Sequence, residues 1–332
     1  MDLVTGGAGF IGSHLVESLL RLGRRVRVVD NLSTGRRSNL PDESGGGGIE
    51  FIEGDIADPR VTEVAMAGCT RVFHLAALAD IVPSIQQPEA YFRANVDGTF
   101  VVCEAARRAG IARLIYAASS SCYGIPDSYP TPESAQIRPQ YPYALTKALG
   151  EQIVLHWGQV YGLHAVSLRF FNVYGPRART AGSYGAVFGV FLAQLLAGEP
   201  LTVVGDGNQT RDFTFVADVA RAMVAAAERA PSGAVYNVAS GRDVSVNRLV
   251  ELLGAQHVAH VAKRPGEPDS TLADTSRIRR ELGWEPQVPI EDGVKIMLEQ
   301  IDRWRDAPVW TVAGIQEATR DWFHYLGRNQ IK

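Results

Sequence analysis

The feature that most constrains the fold is the glycine-rich stretch at residues 5–12, which reads Thr-Gly-Gly-Ala-Gly-Phe-Ile-Gly. Gly6 permits a tight turn from strand to helix, Gly9 lets a pyrophosphate approach the backbone, and Gly12 lets the helix pack closely. Apolar residues precede the stretch as a short strand and follow it at helical spacing. The sequence therefore predicts a dinucleotide-binding turn, with the anion at the start of a helix.

An acidic residue follows the glycines at the spacing expected for contact with an adenosine ribose. Asp30 ends the apolar run at residues 26–29, where a carboxylate would hold the two ribose hydroxyls. The same carboxylate would repel a 2′-phosphate, so the sequence favours NAD over NADP.

Strands and helices alternate through the first half of the chain. Short apolar runs lie at residues 3–4, 26–29, 49–52, 71–75, 114–118 and 165–170, and further strands are predicted at 213–216 and 235–238. Helical patterns cover residues 88–109, 141–161, 246–253, 276–282, 290–304 and 315–325. This order predicts an α/β protein with a Rossmann-type, doubly wound parallel sheet and a smaller C-terminal α/β domain.

Composition excludes several classes of function. The chain has 332 residues, of which 46% are hydrophobic and 21% charged, and its net charge is −3. Without a basic run or a long apolar segment, neither nucleic-acid binding nor membrane association is expected. Cys69, Cys103 and Cys122 are too scattered for a disulfide framework or a zinc site. We therefore predict a cytoplasmic protein without a bound metal.

One pair of residues has the spacing of an acid–base pair. Tyr143 and Lys147 are four residues apart, so on a helix they share one face. A lysine ammonium and a nearby nicotinamide cation both favour the phenolate form of a tyrosine. Tyr143 is therefore a candidate base for an alcohol whose carbon loses hydride to the cofactor.

Together these motifs identify a family resemblance over essentially the whole chain. The sequence resembles the extended short-chain dehydrogenase/reductase family, and within it the nucleotide-sugar epimerases and dehydratases, most closely the UDP-hexose 4-epimerases. The matching segments are residues 5–12, 30–33, 54–56, 74–77, Asn95, 118–124, the Tyr143/Lys147 pair, 169–175, 205–207, 211–213 and 264–267.

The resemblance implies a role for each matching position. It places Asp55 and Ile56 at the adenine, and Arg211 and Arg264 at the diphosphate. The full set implied for NAD is Gly6, Gly9, Phe10, Ile11, Gly12, Asp30, Asn31, Ser33, Asp55, Ile56, Leu75, Ala76, Ala77, Asn95, Tyr143 and Lys147. The set implied for the nucleotide sugar is Ser120, Ser121, Asn172, Thr202, Val204, Arg211, Arg264, Glu267 and Thr271.

The pattern along the chain also predicts two domains and a symmetric assembly. Residues 1–168 and about 213–240 are expected to form the NAD-binding Rossmann domain, and about 169–212 and 241–332 the nucleotide-sugar-binding domain. A homodimer is expected, with the outer faces of the two long helices as its candidate interface. Those faces are predicted to carry Phe92, Val96, Leu149 and Val154, although core packing accounts for them equally well.

The serine triplet at residues 119–121 distinguishes between reactions. Related 4,6-dehydratases carry acidic residues in the corresponding stretch, and related decarboxylases carry a glutamate there, whereas hydroxyls are weak general acids and bases. Ser119 aligns with the hydroxyl residue that bridges substrate and catalytic tyrosine. At Thr271, such epimerases carry either a tyrosine or a smaller residue beside carbon 2 of the sugar. Threonine leaves room there for an N-acetyl group.

The predicted function is NAD-dependent 4-epimerisation of a nucleotide-diphosphate sugar through a transient 4-keto intermediate. The sugar pair is UDP-glucose and UDP-galactose, with the N-acetylated pair as a further hypothesis. The alternatives are a UDP-glucuronate 4-epimerase, for which Arg177 and Arg179 are candidate cations, a 4,6-dehydratase, and a 4-reductase or dehydrogenase. A non-enzymatic NAD sensor is disfavoured because it has no need of Tyr143 and Lys147.

Overall fold

A computed structural model describes residues 1–41, 48–178 and 186–327 of the chain. Arg179 and most of the glycine-rich loop at residues 44–48 lie outside these ranges.

The strands are short and rich in valine, isoleucine and leucine. In chain order they are β1 (Asp2–Thr5), β2 (Val26–Asp30), β3 (Ile49–Glu53), β4 (Arg71–His74), β5 (Arg113–Ser119), β6 (Ala165–Phe170), β7 (Val173–Tyr174), β8 (Leu201–Val204), β9 (Thr210–Arg211), β10 (Thr214–Phe215), β11 (Val235–Val238), β12 (Val244–Ser245) and β13 (Val258–Val261).

Helices fill most of the connections. They are α1 (Phe10–Arg21), α2 (Pro59–Met66), α3 (Ile81–Gln86), α4 (Pro88–Phe92), α5 (Gly98–Arg108), α6 (Pro142–Tyr161), α7 (Val187–Ala197), α8 (Val216–Arg229), α9 (Val246–Leu252), α10 (Ser276–Leu282), α11 (Ile290–Glu299), α12 (Val312–Ala318) and α13 (Arg320–Leu326). Single 3₁₀ turns lie at Arg37–Asn39, Ser120–Tyr123 and Ile301–Trp304.

Seven strands form one parallel sheet in the order β11-β6-β5-β4-β1-β2-β3. Chain order reverses between β1 and β4, because the chain moves outward through β2 and β3 before it returns to the other side of β1. Ligands of doubly wound sheets bind at such a reversal, beyond the carboxyl ends of the strands. The predicted Rossmann-type fold is confirmed.

Helices cover both faces of the sheet. On one face, Leu15 of α1 and Met223 of α8 are fully buried in a common apolar cluster with Val28. On the other face, Val102 of α5 and Val154 of α6 are fully buried against the sheet. Parallel strands need this double cover because both of their faces are apolar.

A second apolar cluster lies in the C-terminal half of the chain. The rings of Tyr174 and Phe188 stack with centroids 4.6 Å apart, and Trp304 is buried in the same cluster. Helix α10, which the predicted division assigns to the sugar side, packs instead against the sheet, where Ile278 and Leu282 are buried. The division into two domains remains a prediction.

Two expectations are wrong in detail. Of residues 213–216, only Thr214–Phe215 are extended; they pair with β7 outside the large sheet, and Val216 begins α8. Val96 and Val154 are buried inside the protomer, so they do not belong to an outer face. The helix at 88–109 exists as predicted, but Arg93–Asp97 form a π-helical turn between α4 and α5.

Candidate functional site

A cavity of about 1220 Å³ opens at the carboxyl ends of the sheet strands. Its lining begins at the Gly6 turn after β1 and extends to Trp322 in α13. The cavity therefore collects residues from almost the entire length of the chain.

The glycine turn provides the first wall of the cavity. Gly6 has φ +70°, and a Cβ there would lie 2.7 Å from the backbone nitrogen of Ala76. A Cβ on Gly12 would overlap the carbonyl oxygen of Gly6. Helix α1 begins beside this turn with no side-chain cap and no acidic residue in its first turn. Its unpaired N–H groups thus face an open cradle of backbone, which fits the pyrophosphate of a dinucleotide.

Asp30, which is predicted to contact the adenosine ribose, lies beside this cradle. Its carboxylate accepts hydrogen bonds from the backbone N–H of Ala8 at 3.0 Å and of Leu32 at 2.9 Å. Burial raises the pKa of Asp30, and these two hydrogen bonds oppose the rise. The other predicted residues of this end also line the cavity, namely Asn31, Ser33, Asp55 and Ile56.

Asn95 differs from the other residues predicted to contact NAD. Leu75, Ala76 and Ala77 line the cavity, as do Phe10 and Ile11, whereas Asn95 is fully buried behind its wall. Its amide donates to the carbonyl of Leu78 and to the hydroxyl of Thr146, each at 3.0 Å. Asn95 thus fastens the loop after β4 to α6, and its direct contact with NAD stays a prediction.

Helix α6 presents the predicted acid–base pair to the cavity. The helix begins with Pro142, whose ring suits a first helical position, so Tyr143 and Lys147 lie one turn apart on its first two turns. Ser119 ends the neighbouring strand β5, and all three residues line the cavity. The structure brings the predicted catalytic residues together.

Burial shifts the pKa of both residues of the pair. Desolvation raises the pKa of Tyr143, and a hydrogen bond with Ser119 opposes that rise. Desolvation lowers the pKa of Lys147 to about 7, against the attraction of Glu151 one turn further along α6. The Lys147 ammonium lies 4.3 Å from the centre of the Tyr116 ring. An electron-rich ring face stabilises this buried cation.

Glu151 is held by a bidentate ion pair beneath the catalytic helix. Arg169 Nη2 lies 2.6 Å from one carboxylate oxygen, and Arg169 Nε lies 3.0 Å from the other. Ser167 donates to the same carboxylate at 2.6 Å. Because Glu151 and Arg169 are both buried, the carboxylate keeps a fixed position relative to Lys147.

The serine triplet forms its own hydrogen bonds. Ser119 and Ser121 have hydroxyl oxygens 2.8 Å apart, and the backbone N–H of Ser121 donates to Ser119 Oγ at 3.2 Å. Ser119 thereby caps the 3₁₀ turn Ser120–Tyr123. Ser120 and Ser121 also line the cavity, so neither position supplies an acid there.

Two arginines and one carboxylate line the opposite end. Arg211 Nη2 donates to Glu267 at 2.8 Å, and Arg264 Nη1 lies 3.7 Å from the other oxygen of that carboxylate. Two cations therefore share one anion, which leaves this wall with a net positive charge. Planar guanidinium groups at such a wall suit phosphate oxygens.

Asn172 and Thr271 contact each other in the lining of the same cavity. The Thr271 hydroxyl donates to Asn172 Oδ1 at 2.9 Å and accepts from the backbone N–H of Asp212 at 3.1 Å. Thr202 and Val204 border the same cavity. Thr202 Oγ1 accepts from the buried amide of Gln194 at 2.8 Å.

Sequence reasoning missed several residues of the lining. Tyr141, Gln209, Trp310 and Trp322 all face the cavity. Tyr141 was detectable, because it precedes the proline that starts the catalytic helix. The two tryptophans gave no signal, since their distance along the chain from every motif hides their proximity in space.

The described ranges contain neither a candidate membrane span nor a candidate metal cluster. No helix in them is long and apolar enough to cross a bilayer. Nor do those residues contain a group of three or more histidine, cysteine, aspartate or glutamate side chains suited to hold a metal.

Comparison with known families agrees with this geometry. The model of the NAD dependent epimerase/dehydratase family matches residues 3–239, and the chain belongs to that family. Within the family, its fold and its NAD cofactor are those of the UDP-sugar 4-epimerase type, and the prediction of an NAD-dependent epimerase is confirmed.

Three similar proteins illustrate that placement. The UDP-glucose 4-epimerase of Mycolicibacterium smegmatis is 37% identical over 309 residues, which cover 90% of this chain and 97% of the relative. The structure of UDP-glucose 4-epimerase with UDP-glucose from Thermotoga maritima has 34% identity and a TM-score of 0.86, covering 91% and 99% of the two chains. MoeE5 in complex with UDP-glucuronic acid and NAD has 37% identity and a TM-score of 0.82, with the same coverage.

Proposed function

We propose that this enzyme interconverts the carbon-4 epimers of a UDP-sugar, with UDP-glucose and UDP-galactose as its principal pair. One observation carries the proposal: Ser119, Tyr143 and Lys147 share a cavity with the Arg211/Arg264 pair, while serines occupy the two positions after Ser119. Acid–base residues and a diphosphate-binding wall, with hydroxyls instead of acids at residues 120 and 121, form the combination that a 4-epimerase needs.

The proton steps belong to the chain's own residues. NAD, when bound in the glycine cradle, supplies reversible hydride exchange with carbon 4 of the sugar. Tyr143 takes the proton of the 4-hydroxyl and later returns it, and Ser119 orients that hydroxyl by hydrogen bonding. Lys147 favours the phenolate by its positive charge. Arg211 and Arg264 hold the diphosphate while the oxidised sugar turns its other face toward the cofactor.

Epimerisation is favoured over elimination by the serine triplet. A dehydratase needs an acid and a base near carbons 5 and 6, but Ser120 and Ser121 present only hydroxyls, and that of Ser121 is bonded to Ser119. Hydroxyls are poor proton donors and acceptors near neutral pH.

Thr271 supports acceptance of an N-acetylated sugar. Its side chain lines the cavity and is shorter than a tyrosine, so it leaves volume for an acetamido group beside carbon 2. Its hydroxyl is fixed by Asn172 and by the Asp212 backbone, which keeps the threonine from turning into that volume.

The uronate alternative gains no support from Arg177. This residue lines the cavity, but its guanidinium pairs with Glu17 and donates to the carbonyl of Asn39 at 3.2 Å. These contacts hold the Arg177 guanidinium against α1 and the segment before β3.

A product assay without added NAD tests the proposed function. Purified protein is incubated with UDP-, GDP-, CDP- and dTDP-sugars, including UDP-glucose and UDP-N-acetylglucosamine, and the products are resolved chromatographically. We expect UDP-galactose from UDP-glucose with no net NADH. Net cofactor reduction would indicate a dehydrogenase, and a 4-keto-6-deoxy product a dehydratase.

Two controls sharpen the assay. Tyr143→Phe is expected to abolish turnover, by about 10²-fold or more, while bound NAD remains; wild-type activity in this variant would remove Tyr143 from the mechanism. Failure of an enzyme active on UDP-glucose to convert UDP-N-acetylglucosamine would overturn the role of Thr271.

The proposal includes a cytoplasmic homodimer. Helices α4, α5 and α6 leave a row of large apolar side chains exposed, which we call the dimer patch: Phe92, Phe100, Leu145, Val160 and Tyr161. Phe100 packs edge-on against Trp157, with centroids 5.5 Å apart. Burial of such a patch against a second copy would remove its apolar surface from water.

A further inference from the structure

Trp322 is the residue through which the C-terminal helix reaches the cavity. Its side chain is only 2% exposed and lines the cavity, whereas Tyr325 of the same helix is 57% exposed. Gln86 of α3 donates to Asp321 at 3.0 Å, which fixes α13 beside the segment that follows β4.

Arg211, Arg264 and Glu267 form one wall of the cavity, which we call the arginine wall. The indole contacts this wall in two ways. Trp322 Nε1 donates to the carbonyl of Pro265 at 2.8 Å. The guanidinium carbon of Arg264 lies 5.3 Å from the centre of the indole rings. A cation at this distance from an aromatic face is attracted to it. Trp322 therefore fixes both the backbone that follows Arg264 and the guanidinium itself.

The same indole contacts the start of the catalytic helix. The Tyr141 ring lies 6.2 Å from Trp322, and Tyr141 is stacked on Tyr143 with centroids 6.5 Å apart and planes at 8°. Trp322 thus connects the arginine wall to the aromatic pair that ends at the catalytic tyrosine.

We propose that Trp322 is a positioning residue that holds Arg264 toward the substrate diphosphate. The inference rests on the proposed function, because the diphosphate belongs to that substrate. Glu267 competes for the same guanidinium at 3.7 Å. Removing the indole face leaves Arg264 to close onto Glu267, where its charge is neutralised before a phosphate arrives.

Binding of UDP to the NAD-containing protein tests this role. Calorimetry is performed on wild type, W322L, R264A and the W322L/R264A double variant. We expect W322L to weaken UDP binding about tenfold, as a partly desolvated cation–aromatic contact predicts. The double variant should bind no more weakly than R264A, because both changes remove the same interaction. In turnover, KM should rise while kcat changes less than threefold.

Matched variants separate positioning from general packing. Tyr325→Leu, in the same helix but exposed, should bind UDP like the wild type. W322F keeps an aromatic face and should stay within about threefold of it. If W322L does not fold, W322M replaces it in the cycle, because it fills more of the same volume.

Different outcomes overturn different claims. Wild-type affinity in folded W322L or W322M, or additive losses in the double variant, would overturn the role of Trp322 alone. Absence of UDP binding to the wild-type protein would overturn both this role and the UDP-sugar function.

Discussion

At the scale of single residues, Lys147 combines its proposed catalytic role with an environment that disfavours its charge. The ammonium is buried 4.3 Å from the centre of the Tyr116 ring, and desolvation lowers its pKa to about 7. A lysine in this state lowers the stability of the fold, which is expected where chemistry requires a group that the core does not favour.

Lys147→Met should therefore stabilise the protein while removing activity. The pKa of Lys147 is about 7 in the folded state and 10.5 in the unfolded state. Below pH 7 the free energy of unfolding is therefore reduced by the full cost of burying the charged ammonium. That penalty declines as pH rises from 7 toward 10.5. We expect a gain of about 1–3 kcal/mol at pH 6 that shrinks by pH 9.

Urea unfolding at the two pH values measures this effect. The exposed Lys295→Met in α11 serves as the control and should leave the free energy of unfolding unchanged. Equal stability of K147M and wild type at pH 6 would contradict the assigned cost of burial.

At the scale of elements, Asp212 ties three segments of the sugar side together. Oδ1 accepts from the N–H and hydroxyl of Ser240, at 2.8 and 2.5 Å, and Oδ2 accepts from the N–H of Gly241 and Ala273, at 3.1 and 3.2 Å. Burial raises the pKa of Asp212 to about 6, against these hydrogen bonds. The residue directly follows Arg211, so the same junction supports the arginine wall.

Asp212→Asn should cost about 2–4 kcal/mol of stability. An amide offers one acceptor oxygen, and its NH₂ group would face donors that Oδ1 or Oδ2 now accepts. Thermal unfolding measures the change, and the exposed neighbour Asp243→Asn is the matched control. A Tm equal to that of the wild type would show that the junction does not depend on the carboxylate.

Helices with a long apolar pattern are the elements that the sequence predicts well. The helix predicted at residues 141–161 spans Pro142–Tyr161 in the structure. It was predictable because apolar residues recur at helical spacing over its length and Gly162 ends it. Strands β8 and β13 escaped prediction, since they pair only with each other and this pairing joins distant parts of the chain. The 213–216 run was assigned to the wrong sheet for the same reason.

At the scale of the whole molecule, the dimer patch predicts the assembly. Leu145 is 45% exposed on α6, so Leu145→Glu adds charge to the patch without entering the core. We expect light scattering to show a dimer for the wild type and a monomer for L145E. Leu22→Glu, at an exposed leucine outside the patch, should remain dimeric. An L145E dimer would direct the search for the interface elsewhere.

The site as a whole was predictable only where motifs carry its chemistry. The glycines, Asp30, Ser119, Tyr143 and Lys147 stand in local patterns, and the structure places all of them around one cavity. The buried position of Asn95 could not be predicted, because its hydrogen bonds to Leu78 and Thr146 form only in the folded chain. Trp322 required the complete three-dimensional arrangement.

Residues made early and residues made late during synthesis line the same cavity. Gly6 and Trp322 border the same cavity, although 315 residues lie between them in the chain. At roughly 5–20 residues per second, the ribosome needs on the order of tens of seconds to make that interval. The cofactor-binding turn is therefore complete long before the last wall of the cavity exists. The last residue predicted to contact NAD, Lys147, is made well before Trp322, so synthesis supplies the residues predicted for NAD before the last residue of the cavity lining.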